Sequence, residues 1–427
     1  MTMKERRIDM SKVTREEIYE LAKSKSGELI KLVSDLIRIP SENPTGTQRE
    51  VVDFVKNYLT EAGIPCEEVS CNPEYPCVLA KIGSDEGFSV ILNGHVDVVP
   101  AGDREQWDFD PFSGEVTDKL ILGRGTSDMK AGVAGLLFAM KILAESKAEL
   151  NGNIRLHIVS DEESGGEYGS RWLCENGYAD GGNACLIAEP TSNNTIEIGQ
   201  KGGLHLVLKS KGKSAHGSLG GFKGDNAIIK LSRVLDKLQA LTKIQGHYKD
   251  SQANALKNSK LIAEQEIGEP GIGEVISHVS ANVGIINGGT RPNMVPDYCE
   301  AIVDVRLPIG VDHQEIIDTV NSCLEGTEGI ECEFHWKSEG NYTEETEAIV
   351  QAIKKNAEKL WGFEVIPAYQ WASSDAREYR ALGIPTIQYG PSNTEGIHSY
   401  NENVDIEDAV NASQIYVLSL CDLMGIQ

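Results

Sequence analysis

His95 and Asp97 are the first residues whose types and spacing could do chemistry. They close the stretch FSVILNGHVDVVP, where an apolar run gives way to Asn93-Gly94 and the two side chains follow, two residues apart. In a strand, positions i and i+2 face the same side, so both can project together where strand becomes loop. That end of a strand is the usual place for chemistry in an open α/β sheet. An imidazole can bind a metal through one ring nitrogen while a carboxylate or carbonyl fixes the other. Alone, a His-x-Asp pair reads as solvated loop far more often than as a ligand site.

Further acids converge on the same place. Residues 153–160, NIRLHIVS, read as a buried strand ending in Asp161-Glu162-Glu163. Such neighbours repel one another unless a cation neutralises them or water solvates them. A second strand, residues 184–188, ends in Glu189. Asp128 precedes a helix expected to run through Met140, and on position alone it reads as that helix's cap. Gly123-Arg124-Gly125 resembles the start of a dinucleotide fingerprint, but the third glycine position holds Asp128, which argues against a Rossmann site. His398 lies in a late glycine-bearing loop, GPSNTEGIHSYNENVDIED.

Helix and strand patterns alternate around these residues. Helical periodicity spans residues 18–37 as one element ended by Pro40, and again residues 50–62, stopped by Gly63 and Pro65. Residues 76–82 and 88–92 read as strands, and the alternation predicts an α/β sheet with helices packed against it. Residues 102–122 form a long loop whose Trp107, Phe109 and Phe112 are either buried anchors or a pocket wall. From Gln200 the order becomes β-α-β-β-α-β, the ferredoxin-like signature, which makes residues 200–338 a second domain inserted into the first. Within it the polar stretch 246–273 has no assignment. The α/β pattern then resumes to the end, giving a catalytic domain in two parts, 1–199 and 339–427.

Composition narrows the functions. The 427 residues, 40% hydrophobic and 25% charged, suit a globular protein of two or three domains with a real core. A formal charge of −25, from 65 acidic and 40 basic residues, argues against nucleic acid or an anionic membrane as partner. Nine cysteines without a Cys-x-x-Cys indicate neither a disulfide framework nor a zinc-thiolate site, and fit a reducing cytoplasm. The leader MTMKERRIDMSKVTREE has no apolar run after it, so no signal peptide is read, and no run is long enough to span a membrane.

Taken together, the segments GHVDVVPAG with Trp107 and DPF following, GRGTSDMKAG, SDEES, AEPT, KSAHGS, GGTRPNMVPD with DVRLP, SSDAR, and GPSNTEGIHSYNE resemble a known family. It comprises the co-catalytic dizinc deacylases and exopeptidases, among them acetylornithine deacetylase, succinyl-diaminopimelate desuccinylase, aminoacylase-1 and glutamate carboxypeptidase. The matches run in the family's order and cover nearly the whole chain. The resemblance implies a metallopeptidase-like catalytic domain with a mixed central sheet flanked by helices, and an inserted ferredoxin-like α+β domain acting as lid and dimerisation surface. It implies two divalent ions per chain, zinc first, with cobalt or manganese as alternatives. Asp128 would bridge them, His95 and Glu189 would hold one, and Glu163 and His398 the other. Asp97 would orient His95, Glu162 would be the general base, and His216 would reach a partner's site and support the oxyanion. Asn293, Arg306 and Arg377 match substrate-binding positions, with Arg291 less secure.

The implied activity is hydrolysis of an amide in a small N-acyl amino acid or related amine, within a homodimer. Glu189 fits the amino-acid deacylase branch, because the ureido-hydrolysing branch typically has a histidine there. A dipeptidase or carboxypeptidase is the alternative within the family, and a non-catalytic metal-binding module the alternative outside it.

Overall fold

The computed structural model describes residues 13–427, so most of the charged leader lies outside the described residues. The chain divides into two compact units. The first comprises Met1–Ile196, Glu345–Ile366 and Leu382–Gln427; the second comprises Glu197–Glu344 and Pro367–Ala381.

In the first unit six strands lie side by side in the order Cys66–Val69, Cys77–Gly83, Gly152–Val159, Phe88–His95, Ala184–Ile187, Thr386–Gln388. The last four run parallel, while Cys77–Gly83 is antiparallel to Gly152–Val159 on one side and to Cys66–Val69 on the other. The sheet is therefore mixed, as expected. Parallel neighbours end together, which carries His95, the acids after Val159 and Glu189 to one edge. Two helices pack together beside them: Lys130–Ser146, with nearly every residue buried, and Ile406–Leu423. A Cβ on Gly132 would stand 2.0 Å from the Ala188 carbonyl oxygen, so glycine is what lets the first of these helices approach the strand leading to Glu189.

The helix expected over residues 18–37 is two helices, Arg15–Ser24 and Ser26–Ile37. Apolar spacing continues across the break, but the Ser24 hydroxyl donates to the Leu21 carbonyl and the Ser26 hydroxyl to that of Lys23, side-chain bonds that compete with the helical ladder. In the long loop, Trp107 is the buried anchor. Its indole N–H donates to the Ala101 carbonyl at 2.8 Å, and it packs with Val98, Ala101 and Phe112. The end of the same segment, Leu120–Leu122, is a short strand paired with Asn403–Asp405.

The second unit holds a four-stranded antiparallel sheet of Gly202–Lys211, Ser280–Gly288, Tyr298–Leu307 and Ile330–Ser338. Spatially the fourth strand lies at one edge, followed by the first, the third and the second. With helices Ala227–Lys237 and His313–Leu324 this is the ferredoxin-like arrangement. Alternate residues of the central strands, Leu204, Leu206, Leu208, Ala301, Val303 and Val305, bury one face against those helices. The unassigned stretch contains a helix, Ala253–Ile267. Pro367–Ala381 belongs to this unit rather than to the late part of the catalytic domain. Buried polar bonds explain why: Gln200 Nε2 donates to Ser373 Oγ at 3.0 Å and to the Ser374 carbonyl at 3.1 Å, and Arg380 Nη1 donates to Gln200 Oε1 at 3.1 Å.

Candidate metal centre

His95 ends its strand buried, with 1% of its surface exposed. Its Nδ1 lies 2.9 Å from the Asp97 carbonyl oxygen and 3.4 Å from Asp97 Oδ1. That fixes the ring and turns Nε2 toward Asp128 Oδ1 at 3.1 Å and Glu189 Oε1 at 3.7 Å. The other oxygen of Asp128, Oδ2, faces His398 Nε2 at 3.2 Å, and the same Nε2 lies 3.3 Å from Glu163 Oε1. One carboxylate thus stands between two histidines, with a different oxygen toward each.

The capping role considered for Asp128 does not occur. The helix begins at Lys130, its N-cap residue is Met129, and no side chain caps it. Instead Lys130 N–H donates to the Gly125 carbonyl, which leaves the Asp128 carboxylate for the histidines.

Asp97 is fully buried and acts as a hub. Its Oδ1 accepts from the Glu162 N–H at 3.3 Å, and its Oδ2 accepts from the Glu163 N–H at 3.1 Å and from Asn43 Nδ2 at 2.8 Å. The short 3-10 turn Glu162–Ser164 is thereby docked against the strand end that carries His95. Donor atoms of His95, Asp128 and Glu163 lie within 4.8 Å of one another, and so do those of His95, Glu162 and Glu189. Imidazole nitrogens among carboxylate oxygens, closely grouped and largely buried, form a donor set suited to a divalent ion such as zinc.

Electrostatics point the same way. Burial is the largest single effect on His95 and opposes its charge, but Glu189, Asp128 and Asp97 together outweigh it and hold its pKa well above the ordinary value. Hydrogen bonds to Asp128 and Glu163 push His398 up to about 10. Glu163 is raised by burial and by the charge of Asp128.

Sequence reading missed Asn43 and Glu402. Asn43 is buried and touches Asp97, and its signal was slight because the segment SENPTG reads as loop. Glu402 is buried beside the Asp128 segment, four residues beyond His398, inside a motif valued only for its histidine.

The remaining expected residues belong to the second unit. His216 lies in an exposed turn, its Nδ1 2.8 Å from Ser218 Oγ, and the adjoining Gly217 N–H donates to the Asn293 carbonyl at 2.7 Å. His216 and Asn293 are therefore neighbours. Arg306 Nε donates to both oxygens of Asp304 at 3.0 Å, and its guanidinium stacks 4.8 Å over Trp336. Arg377, mostly buried, donates to the Ser374 carbonyl at 3.0 Å and to Glu378 Oε1 at 2.9 Å.

Fold and donor set are those of a metallohydrolase. Residues 91–421 match the peptidase family M20/M25/M40, and the chain belongs to that family. It is similar to a probable succinyl-diaminopimelate desuccinylase of Staphylococcus epidermidis, 35% identical over 65% of this chain and 67% of the relative. It is also similar to the succinyl-diaminopimelate desuccinylase of Ehrlichia canis, 28% identical over 91% of this chain and 96% of that one. Among solved structures, an M20 family metallo-carboxypeptidase from Sulfolobus solfataricus shares the fold with a TM-score of 0.78, at 21% identity over 92% of this chain and 98% of that one.

Acidic neighbours raise the proton affinity of both histidines, so an ion entering here would compete with protons. Titration with Zn2+ at pH 7 should release protons, and apparent affinity should fall as pH is lowered. Calorimetry in buffers of different ionisation heat measures this. Identical heats in all buffers would contradict the assignment of His95 and His398.

Proposed function

We propose that this chain hydrolyses the amide bond of small N-acyl amino acids or related amines, using two divalent ions. The observation that carries the proposal is Asp128, which presents one oxygen to His95 and the other to His398. That is the disposition a bridging carboxylate needs. His95 and Glu189 would hold one ion, Glu163 and His398 the other, with zinc preferred for the mixed nitrogen-oxygen set and cobalt or manganese as alternatives. When bound, such a pair lowers the proton affinity of water and polarises a carbonyl.

The chain's own groups carry the remaining work in this account. Asp97 keeps the His95 ring oriented. Glu162 accepts the proton of the attacking water and delivers it to the amine nitrogen as the C–N bond breaks. His216 donates to the developing oxyanion, and Asn293, Arg306 and Arg377 bind the substrate's carboxylate and carbonyl oxygens. The desuccinylase relatives support an N-acyl amino acid as substrate; a dipeptide, cleaved by the same steps, is the second reading, supported by the carboxypeptidase fold neighbour. The presence of a base candidate beside a full donor set speaks against a metal-binding module without catalysis.

We further propose a homodimer formed through the second unit. Strand Ser280–Gly288 ends its sheet, and Val283, Ile285 and Ile286 on it are 38%, 49% and 50% exposed. An exposed apolar edge invites pairing with another strand, and a second copy would cover it. A cytoplasmic setting is supported by nine cysteines that form no Cys-x-x-Cys pattern. Among the described residues no helix is long and apolar enough to cross a membrane.

Metal-loaded protein assayed on a panel of N-acyl amino acids and dipeptides should release free amine. Glu162→Gln should cut turnover by ~10²–10⁴ with both ions retained, whereas Glu163→Gln should weaken binding of one ion. The reverse pattern would exchange the roles of the two glutamates, and no amine release from any substrate would refute the reaction class.

The trans role of His216 has its own test. His216→Ala and Glu162→Gln chains should each be nearly inactive, while their heterodimers regain one working site. Heterodimers proven by mass spectrometry yet inactive would place His216 in its own chain's site or outside the reaction.

A further inference from the structure

Glu402 is 1% exposed and sits in the first unit with its carboxylate against the segment that carries Asp128. Its Oε1 accepts from two consecutive backbone donors, the N–H of Ser127 at 2.9 Å and that of Asp128 at 3.2 Å. Its Oε2 accepts from Arg124 Nη1 at 2.5 Å, and this guanidinium lies 5.1 Å over the Trp107 ring. The Glu402 carbonyl accepts from the Gly123 N–H at 2.9 Å, so main chain and side chain grip both ends of the same turn. Ser127 Oγ adds a bond to the Asn403 carbonyl at 2.9 Å.

A buried carboxylate is costly to desolvate, and an interaction kept at that cost is informative about what it holds. Here it holds the backbone on either side of the Ser127 Cα, the two peptide N–H groups that lead into Asp128. His398 stands four residues before Glu402, in a left-handed conformation with φ 57°, in the loop between the 3-10 turn Thr394–Gly396 and the strand that pairs with Leu120–Leu122. One side chain therefore links the segment bearing Asp128 to the loop bearing His398.

We propose that Glu402 is a positioning residue for the metal centre: through Oε1 it fixes the Ser127–Asp128 backbone, and with it the placement of the Asp128 carboxylate between His95 and His398. The proposal rests on the two-ion reading above. The oxygen acceptor is what matters, and the ion pair with Arg124 serves to keep that acceptor buried and aimed.

Two double variants separate these contributions. Arg124→Met with Glu402→Gln removes both charges but leaves an amide oxygen facing the two N–H groups. Arg124→Met with Glu402→Leu removes the charges and the acceptor. Metal affinity and stoichiometry are read by equilibrium dialysis with Co2+ and elemental analysis, together with the visible absorption of the bound cobalt. The glutamine pair should bind both ions within about 3-fold of the parent; the leucine pair should lose roughly 10–100-fold at one site or both, with an altered cobalt spectrum, the range set by groups that orient metal ligands. A purely structural role would lower unfolding temperature without separating the two pairs in affinity. Equal affinity and identical spectra in both pairs would overturn the proposal. If the leucine pair fails to fold, Glu402→Asp carries the test, since it keeps the charge and withdraws the oxygen by one methylene. A 10-fold or greater loss then supports positioning, and unchanged affinity overturns it. If the parent itself binds no pair of ions, it is the two-ion reading that fails.

Discussion

One buried carboxylate, Asp97, ties together the segments from which the site is built. It has no exposed surface, and around it gather the His95 ring, the N–H groups of Glu162 and Glu163, and the Asn43 amide. Three stretches of chain far apart in sequence thus share one reference point: the end of a central strand, the turn after its parallel neighbour, and the loop before the helix Arg49–Glu61. Backbone and amide N–H donors share with the His95 ring the compensation for burying that carboxylate. Glu163, aimed by this docking, meets His398, and Asp128 completes the group from the other side.

The charge balance of the group follows from this construction. Five carboxylates, those of Asp97, Asp128, Glu162, Glu163 and Glu189, surround or adjoin two imidazoles. Such an excess of negative charge in a buried setting is unfavourable without cations, whether protons or metal ions. Raised proton affinity at His95 and His398 expresses the same imbalance. Conversely, Lys130, wholly buried next to this region, has its pKa lowered to about 7 by loss of water, while its ammonium donates to the carbonyls of Leu36 and Ile39.

Much of this was legible in the sequence where the governing physics is local. Alternation along a strand put His95 and Asp97 on one side, and parallel strands ending in acids brought Glu163 and Glu189 to one edge. Asp128 was not legible from position, because a carboxylate just before a helix ordinarily caps it; only the family resemblance indicated another role. Glu402 escaped because its partners are backbone N–H groups, which leave no mark in a residue pattern. The helix Ala253–Ile267 escaped because it buries only Ala255, Ser259 and Ala263, small residues spaced by four that carry little hydrophobic signal. Strand Thr195–Gln200 is buried throughout, yet Glu197 and Gln200 make it look polar; Gln370 and the Ser373–Ser374 segment satisfy them. The break at Lys25 escaped for a related reason, since hydroxyl bonds rather than apolar spacing decide it.

The account stands on Asp128 joining two metal positions. Anomalous diffraction from crystals of the zinc-loaded protein, recorded on both sides of the zinc absorption edge, addresses this without relying on activity. Two peaks about 3.5–4 Å apart should flank the Asp128 carboxylate, one beside His95 and Glu189 and the other beside Glu163 and His398. A single peak at full zinc loading, or a pair away from Asp128, would contradict it.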